Sequence, residues 1–146
     1  MIALPPRDNG GAVVPHDHKE IKDEDEVIRR ISEQWVVTDA NGRRVSSSMA
    51  YHAYKNGGMS VDIKKLIEND GKNSQTYVTT PFWTGSVLFK AGDLRDLDYK
   101  VGYNPITAPQ PNPYHGDVWG DFPKSKVRKL QSLAIWFVPI PGARLV

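Results

Sequence analysis

Residues 85–103 read GSVLFKAGDLRDLDYKVGY, and this stretch decides the fold class. Residues 85–90 carry the β-branched and aromatic side chains that favour a strand. Residues 92–97 predict one or two helical turns, and residues 99–103 predict a return to extended structure. A short helical segment therefore lies between two short strands.

Similar patterns on both sides predict more short elements. Further strands are expected at 27–31, 34–38, 45–54, 75–80, 115–120 and 135–138. Ser60 is a suitable N-cap for a helix over 61–68, and Pro123 suits the first turn of a final helix. Because strands and helices do not alternate strictly, we expect an α+β fold rather than a doubly wound sheet. The expected architecture is a small mixed or antiparallel sheet of short strands with two or three short helices.

The chain length of 146 residues accommodates one domain. Residues 1–24 contain three prolines and the turn signal Asn9-Gly10-Gly11, with few aliphatic side chains. This composition predicts a flexible N-terminal lead-in that contributes little to stability. The single α+β domain is expected to span residues 25–146.

Composition and charge exclude several classes of protein. Hydrophobic residues make up 39% and charged residues 25%, which is typical of a globular chain rather than a disordered or collagen-like one. The chain lacks cysteine, which excludes disulfides and zinc–thiolate sites and fits a reducing cytoplasm. It also lacks an apolar run of membrane-spanning length and a secretory signal. The net charge of +2 is too small to indicate nucleic-acid binding, although the acidic cluster at 17–26 and the basic end of the chain are opposed.

The segment Asn112–Gly120, NPYHGDVWG, is the most unusual stretch. His115 is a candidate general base near neutral pH. Asp117 lies two residues later, so a regular strand places both side chains on one face and allows a His–Asp pair. The alternative is a structural turn whose His and Asp satisfy backbone groups.

Two adjacent arginines and a serine run supply further candidates. Arg29 and Arg30 fall on opposite faces of an extended segment, and a guanidinium fork suits a carboxylate or a phosphate. The alternative is two surface arginines beside the acidic run. Ser47 and Ser48 offer hydroxyl groups, but no Gly-x-Ser-x-Gly elbow surrounds them.

Two polar segments contain residue types suited to metal or phosphate binding. His16-Asp17-His18 has the spacing of metal ligands, but it lies in the expected lead-in, so we predict a solvated segment and no metal site. The final helix carries four cations suited to phosphate contacts, Lys124, Lys126, Arg128 and Lys129. The alternative is an ordinary solvated helix face.

The order of short motifs resembles a family of small, uncharacterised bacterial proteins of about this length. The residues that carry the resemblance are Arg29-Arg30-Ile31, Trp35, Ser47-Ser48-Met49-Ala50-Tyr51, Met59-Ser60-Val61-Asp62, Gly85, Leu94-Arg95, Asn112-Pro113-Tyr114-His115 and Gly120. The chain departs from the family pattern in having Tyr51 where Phe is expected and no His before Gly85. The resemblance implies a cytoplasmic bacterial or phage protein and supplies no activity.

Three functions remain open at this point. The leading one is a non-catalytic cytoplasmic protein that binds another macromolecule, with a protein partner and no cofactor. The second is a small NAD- or nucleotide-acting transferase of the ADP-ribosyltransferase type, since such enzymes carry an arginine, a serine motif and a late polar residue in the order found here. The third is nucleic-acid binding through the basic final helix. The catalytic candidates are His115, Asp117, Arg29, Arg30, Ser47 and Ser48. The partner-binding candidates are Lys124, Lys126, Arg128, Lys129, Asn112 and Tyr114.

Overall fold

The computed structural model describes residues 2–55 and 57–146. The strands are β1 (Glu26–Ile31), β2 (Val36–Thr38), β3 (Arg44–Ser46), β4 (Gly58–Ile63), β5 (Gly85–Lys90), β6 (Lys100–Tyr103), β7 (His115–Trp119) and β8 (Ile135–Val138). The α-helices are α1 (Lys64–Asn69), α2 (Ser74–Val78), α3 (Ala91–Asp96) and α4 (Lys124–Leu133).

Six strands form one antiparallel sheet in the order β6-β7-β4-β1-β5-β8, and β2 and β3 form a separate two-stranded ribbon. The predicted α+β class is therefore confirmed, with an antiparallel sheet. Helices α1 and α3 follow directly on β4 and β5, and α4 lies between β7 and β8 in the chain. Within the described residues, no helix is both long and apolar enough to cross a lipid bilayer.

The helix predicted over 61–68 is present only from Lys64 onward, as α1, because residues 61–63 belong to β4. Ser60 is therefore a strand residue and not the N-cap of α1. Apolar side chains alternate with polar ones along β4, and Met59, Val61 and Ile63 are buried in the core. Burial of this apolar face in the middle of the sheet outweighs the weaker helical pattern further on.

Three expected strands also differ from the structure. The strand predicted at 34–38 is limited to β2, because Glu33–Trp35 forms a 3-10 helix whose N-cap is Ser32. The strand predicted at 75–80 is helix α2, whose N-cap Asn73 accepts a hydrogen bond from the Thr76 amide at 2.9 Å. This cap satisfies a free amide of the first turn and starts the helix in spite of its β-branched residues. The extended segment predicted at 45–54 is limited to β3, and a 3-10 helix follows at Ser48–Ala50.

The N-terminal segment, residues 2–24, packs against the sheet instead of extending away from it. It lies along the outer edge of β6, where Asp17 Oδ1 and His16 Nε2 accept hydrogen bonds from the amides of Val101 and Tyr103 at 2.9 and 3.2 Å. Ile21 in the same segment is only 1% exposed. An edge strand presents unpaired backbone groups, so the polar residues that predicted a solvated tail serve here as partners of that edge.

Candidate functional site

A cleft of about 390 Å³ opens where β1 and β4 separate. The two strands pair only at Val27–Ile63 and Ile28–Asp62, so the next residues of β1 lose β4 as a backbone partner. Arg29 and Arg30 follow at this gap and both line the cleft, although a regular strand directs neighbours to opposite faces. The cleft is lined by Arg29, Arg30, Ser60, Val61, Asp62, Tyr77, Trp83, Ile106, Gln110, Pro111, Asn112 and His115.

Arg29 is a buried cation held by backbone carbonyl groups. Its side chain donates from Nε to the Ala50 carbonyl at 2.9 Å and from Nη1 to the Ser60 carbonyl at 3.0 Å. Its guanidinium lies 5.2 Å from the centre of the Trp35 ring, and the residue is 7% exposed. Burial lowers the pKa of Arg29 to about 10, so the group keeps its charge at neutral pH. Arg29 thus replaces the missing strand partner of Ser60 and brings a positive charge into the cleft.

Arg30 belongs to a hydrogen-bonded network that fixes one wall of the cleft. Its guanidinium forms two bonds with the Asp62 carboxylate, from Nε at 2.8 Å and from Nη2 at 3.1 Å. The Asn112 amide also donates to Asp62, at 2.8 Å, and the Tyr77 hydroxyl donates to Asn112 Oδ1 at 3.0 Å. This network ties the loop before β7 to β4 and to α2, and Asp62 offsets the charge of Arg30.

Aromatic rings lie beside Arg29 and extend to the cleft through Trp83. Trp83 lines the cleft and lies 5.3 Å from the ring centre of Trp35, which in turn covers Arg29. Phe82 stands edge-on to Trp83 at 4.7 Å and is 53% exposed. The cleft therefore combines a guanidinium floor with an aromatic rim.

His115 lines the cleft from β7. A backbone carbonyl just after the neighbouring strand β6 orients its ring. Its Nδ1 lies 2.8 Å from the Asn104 carbonyl oxygen. A carbonyl only accepts, so Nδ1 carries the hydrogen in this contact, and the neutral ring then has Nε2 as its acceptor. The side chain of Asn104 donates to Asp117 Oδ2 at 2.6 Å. The predicted His–Asp pair is therefore indirect, with Asn104 between the two residues.

The structure brings some of the predicted residues together and separates others. Arg29, Arg30, His115 and Asn112 line one cleft. Asp117, two residues after His115 in the chain, is fully buried. Ser47 and Ser48 lie at the start of the 3-10 helix, and neither is among the described residues that line the cleft.

Tyr114 is a core residue in this structure. It is 1% exposed, and its hydroxyl donates to Asp70 at 2.6 Å. Its ring packs edge-on against Tyr77 at 5.1 Å. Tyr114 therefore supports the Tyr77 side of the cleft from behind and does not present its side chain to a partner.

The cations of α4 lie on a different surface. Lys124 and Arg128 line a groove of about 490 Å³ together with Ser48, here called the α4 groove. Lys126 packs its ammonium 4.9 Å from the ring centre of Tyr99, and Lys129 is exposed. The ion pairs found among the described residues include none of these four side chains.

Sequence reasoning missed four residues that shape the cleft, namely Asp62, Tyr77, Trp83 and Asn104. The alternation of apolar and polar residues over 59–63 was a signal for Asp62, since it places Ser60 and Asp62 on the face opposite the core. The other three depend on contacts between distant segments, and their local sequence carries no comparable signal.

The donor set of the cleft suits an anion better than a metal ion. Guanidinium groups and an amide NH2 donate hydrogen bonds, which an anion accepts. A metal ion instead needs lone pairs from oxygen, nitrogen or sulfur atoms. In the part of the chain that the structure describes, no group of three or more His, Asp or Glu side chains is arranged to hold a metal.

No family model, curated protein or solved structure matches this chain.

Proposed function

We propose that the protein acts by binding, and that the cleft takes up an anionic group of its ligand. The observation that carries this proposal is the state of Arg29. It is a buried guanidinium at the floor of the cleft, and none of the ion pairs among the described residues includes it.

The charges of the cleft support an anionic ligand. Arg29 and Arg30 bring two positive charges, and Asp62 balances one of them through its two bonds to Arg30. Asp117 and Asp62 also act on Arg29 electrostatically, but neither forms an ion pair with it among the described residues. A buried charge that is held only by carbonyl groups and a ring still bears a desolvation cost, because the protein interior solvates it less well than water does. A carboxylate or phosphate in the cleft offsets that cost and accepts charge-assisted hydrogen bonds.

The predicted macromolecular partner remains compatible with this proposal. A cleft of about 390 Å³ holds a small molecule or a single group of a larger one. The anionic group is therefore the feature that defines the ligand, whether it stands alone or projects from a macromolecule.

Titration with simple anions tests the proposal. We expect inorganic phosphate and sulfate to raise the melting temperature and to shift the NMR signals of the Arg29 Nε–H and the Trp83 indole. Arg29→Gln should abolish both effects, and Arg29→Lys should retain part of them because it keeps the charge.

Arg128→Gln is the matched control, because it removes an exposed guanidinium from the α4 groove. We expect it to leave both anion effects unchanged. If Arg128→Gln abolishes them and the cleft signals do not move in the wild type, the anion binds at α4 and the proposal is wrong. The NMR signals of the wild type decide the question even if Arg29→Gln fails to fold.

A second candidate function, an enzyme acting on NAD or a nucleotide, is favoured by the tautomer of His115. Its Nδ1 contact to the Asn104 carbonyl makes Nε2 the free acceptor, which is what a general base needs. The serine expected for the transferase type is absent from the cleft among the described residues, since Ser48 lines the α4 groove. Incubation with NAD and nucleoside triphosphates, followed by chromatography of the products, tests it. Turnover in the wild type that is lost in His115→Gln supports the enzyme, whereas unchanged substrates rule out these reactions.

A further inference from the structure

We propose that the ligand of the cleft is a nucleoside phosphate, with its base against Trp83 and its phosphate at the arginine floor. This inference rests on the proposed anion-binding function and adds the chemical class of the ligand. It follows from the presence of aromatic, apolar and cationic side chains in one cleft.

Aromatic and apolar side chains from two segments of the chain line the cleft. Trp83 and Tyr77 come from the helix α2 and the turn that follows it, whereas Ile106 and Pro111 come from the loop before β7. Stacking of a base on an aromatic side chain works for every base, because each has a π face. Trp83 is only partly buried, so part of its ring surface is available to a ligand.

The loop wall also carries groups that recognise the edge of a base. Gln110 is exposed and lines the cleft, and its amide both donates and accepts hydrogen bonds. Asn112 is fixed by Tyr77 and Asp62, which use its carbonyl oxygen and one of its amide hydrogens. Its second amide hydrogen remains as a donor of fixed direction.

The phosphate end is defined by the charged floor. Arg29, Arg30 and His115 line the same cleft, and two of them are permanent cations at neutral pH. Guanidinium groups bind phosphate oxygens with directed, charge-assisted bonds. The cleft volume of about 390 Å³ lies within the range of sites for ligands of this size, about 300–1,000 Å³.

Calorimetric titration of the full chain with matched fragments tests the ligand class. The probes are the four ribonucleoside 5′-monophosphates, ribose 5-phosphate and adenosine. Ribose 5-phosphate lacks the base, and adenosine lacks the phosphate. We expect at least one mononucleotide to bind about tenfold or more tightly than both fragments, since stacking on an aromatic side chain strengthens binding by about 5- to 150-fold per base.

The outcomes separate this inference from the proposed function. If ribose 5-phosphate binds as tightly as every mononucleotide, the base is not recognised, and the inference falls while anion binding stands. If no phosphate compound binds, both fall. A 5′-phosphorylated dinucleotide distinguishes the two sources of the ligand: tighter binding than the mononucleotide identifies the end of a nucleic acid, and weaker binding identifies a free nucleotide.

Substitution of the stacking residue gives a second, independent readout. Trp83→Leu should weaken mononucleotide binding by about 5- to 150-fold and leave ribose 5-phosphate binding unchanged. Phe122→Leu is the matched control, because Phe122 lines the α4 groove and is not among the described residues that line the cleft. Equal losses for both variants, or an equal loss for both ligands, would overturn the assignment of the base to Trp83. Quenching of wild-type tryptophan fluorescence by the mononucleotide but not by ribose 5-phosphate gives the same decision without a variant.

Discussion

Arg30 and Asp62 form a two-bond fork between neighbouring strands, with Nε 2.8 Å from Oδ2 and Nη2 3.1 Å from Oδ1. The side chain of Asp62 is 4% exposed and that of Arg30 is 23% exposed. The same carboxylate accepts the Asn112 amide, so it also holds the loop that forms one wall of the cleft. Asp62 thus affects both the charge of the cleft, through Arg30, and its shape, through Asn112.

Asp62→Asn should destabilise the fold and loosen that loop. The substitution keeps the size of the side chain but removes its charge. It also replaces one carboxylate oxygen, a hydrogen-bond acceptor, by an NH2 group, which is a donor. Hydrogen bonds to a charged group contribute about 1.5–3 kcal/mol each, and the partial exposure of Arg30 places the loss toward the lower value. Urea denaturation of both forms measures the difference in the free energy of unfolding.

Asp96→Asn is the control for that prediction, because Asp96 is an exposed carboxylate at the end of α3. Its unfolding midpoint should remain close to that of the wild type. Equal midpoints for Asp62→Asn and the wild type would mean that the fork contributes little to stability in solution.

The N-terminal segment is expected to be integral to the fold, in contrast to the small contribution predicted from its composition. Ile21→Ala should cost about 2–5 kcal/mol, because Ile21 is 1% exposed and its truncation leaves a cavity. Leu4→Ala removes a similar side chain that is 82% exposed and should have little effect. Thermal unfolding of the two variants side by side measures the contrast. Equal melting temperatures for the two variants would show that the segment contributes little to stability.

Strands β1 and β5 inside the sheet could be predicted from local sequence, whereas β4, which lies beside β1 at the cleft, could not. Residues 27–31 and 85–90 form strands as expected, because their β-branched side chains have no competing helical pattern. Residues 59–63 carry an alternating pattern, but a helical stripe overlaps it at Ile63, and only burial in the sheet decides between them. Local periodicity alone does not measure that burial.

The candidate site was predictable in its residue types and not in its partners. The side chains of Arg29, Arg30 and His115 are suited to anions and proton transfer, and the fold brings them to one cleft. Asp62 lies 32 residues from Arg30, and Asn104 lies 11 residues from His115. Such pairs depend on the sheet order and on loop geometry, which one sequence does not specify.

Alkaline pH should destabilise the protein through its buried tyrosines. Burial raises the pKa of Tyr51 to about 12 from the ordinary value of 10.0, and burial likewise raises the pKa of Tyr99 to about 12. Because the folded pKa is the higher one, this stability is fully present below pH 10 and is lost as the pH rises toward about 12. The lowered pKa of Arg29 acts in the opposite direction over the same range.

Comparison of Tyr51→Phe with the wild type isolates the tyrosine contribution. The difference in the free energy of unfolding between pH 9 and pH 11.5 should be smaller in Tyr51→Phe. Tyr54→Phe, which alters a tyrosine that is 66% exposed, should show the wild-type difference. An identical pH dependence in all three proteins would show that Tyr51 is accessible to solvent in the folded state.

Trp119 should matter more to folding and His115 more to binding, although both are buried. Trp119 is 4% exposed, and its ring lies 5.2 Å from that of His16, so it supports the N-terminal segment as well as β7. Truncation of a buried tryptophan to alanine typically costs about 3–5 kcal/mol, a large share of the stability of a small domain. His115 is 9% exposed, lines the cleft and bonds to the Asn104 carbonyl through one ring nitrogen.

We therefore expect Trp119→Ala to unfold or aggregate, and His115→Ala to remain folded while losing affinity for anions. Circular dichroism and thermal melts establish whether each variant is folded, and phosphate titration then measures binding by the folded ones. Trp119→Phe serves as the milder variant, because it keeps an aromatic ring against His16 and should recover part of the lost stability. If His115→Ala unfolds while Trp119→Ala melts normally, His115 is a structural residue and its assignment to anion binding is wrong.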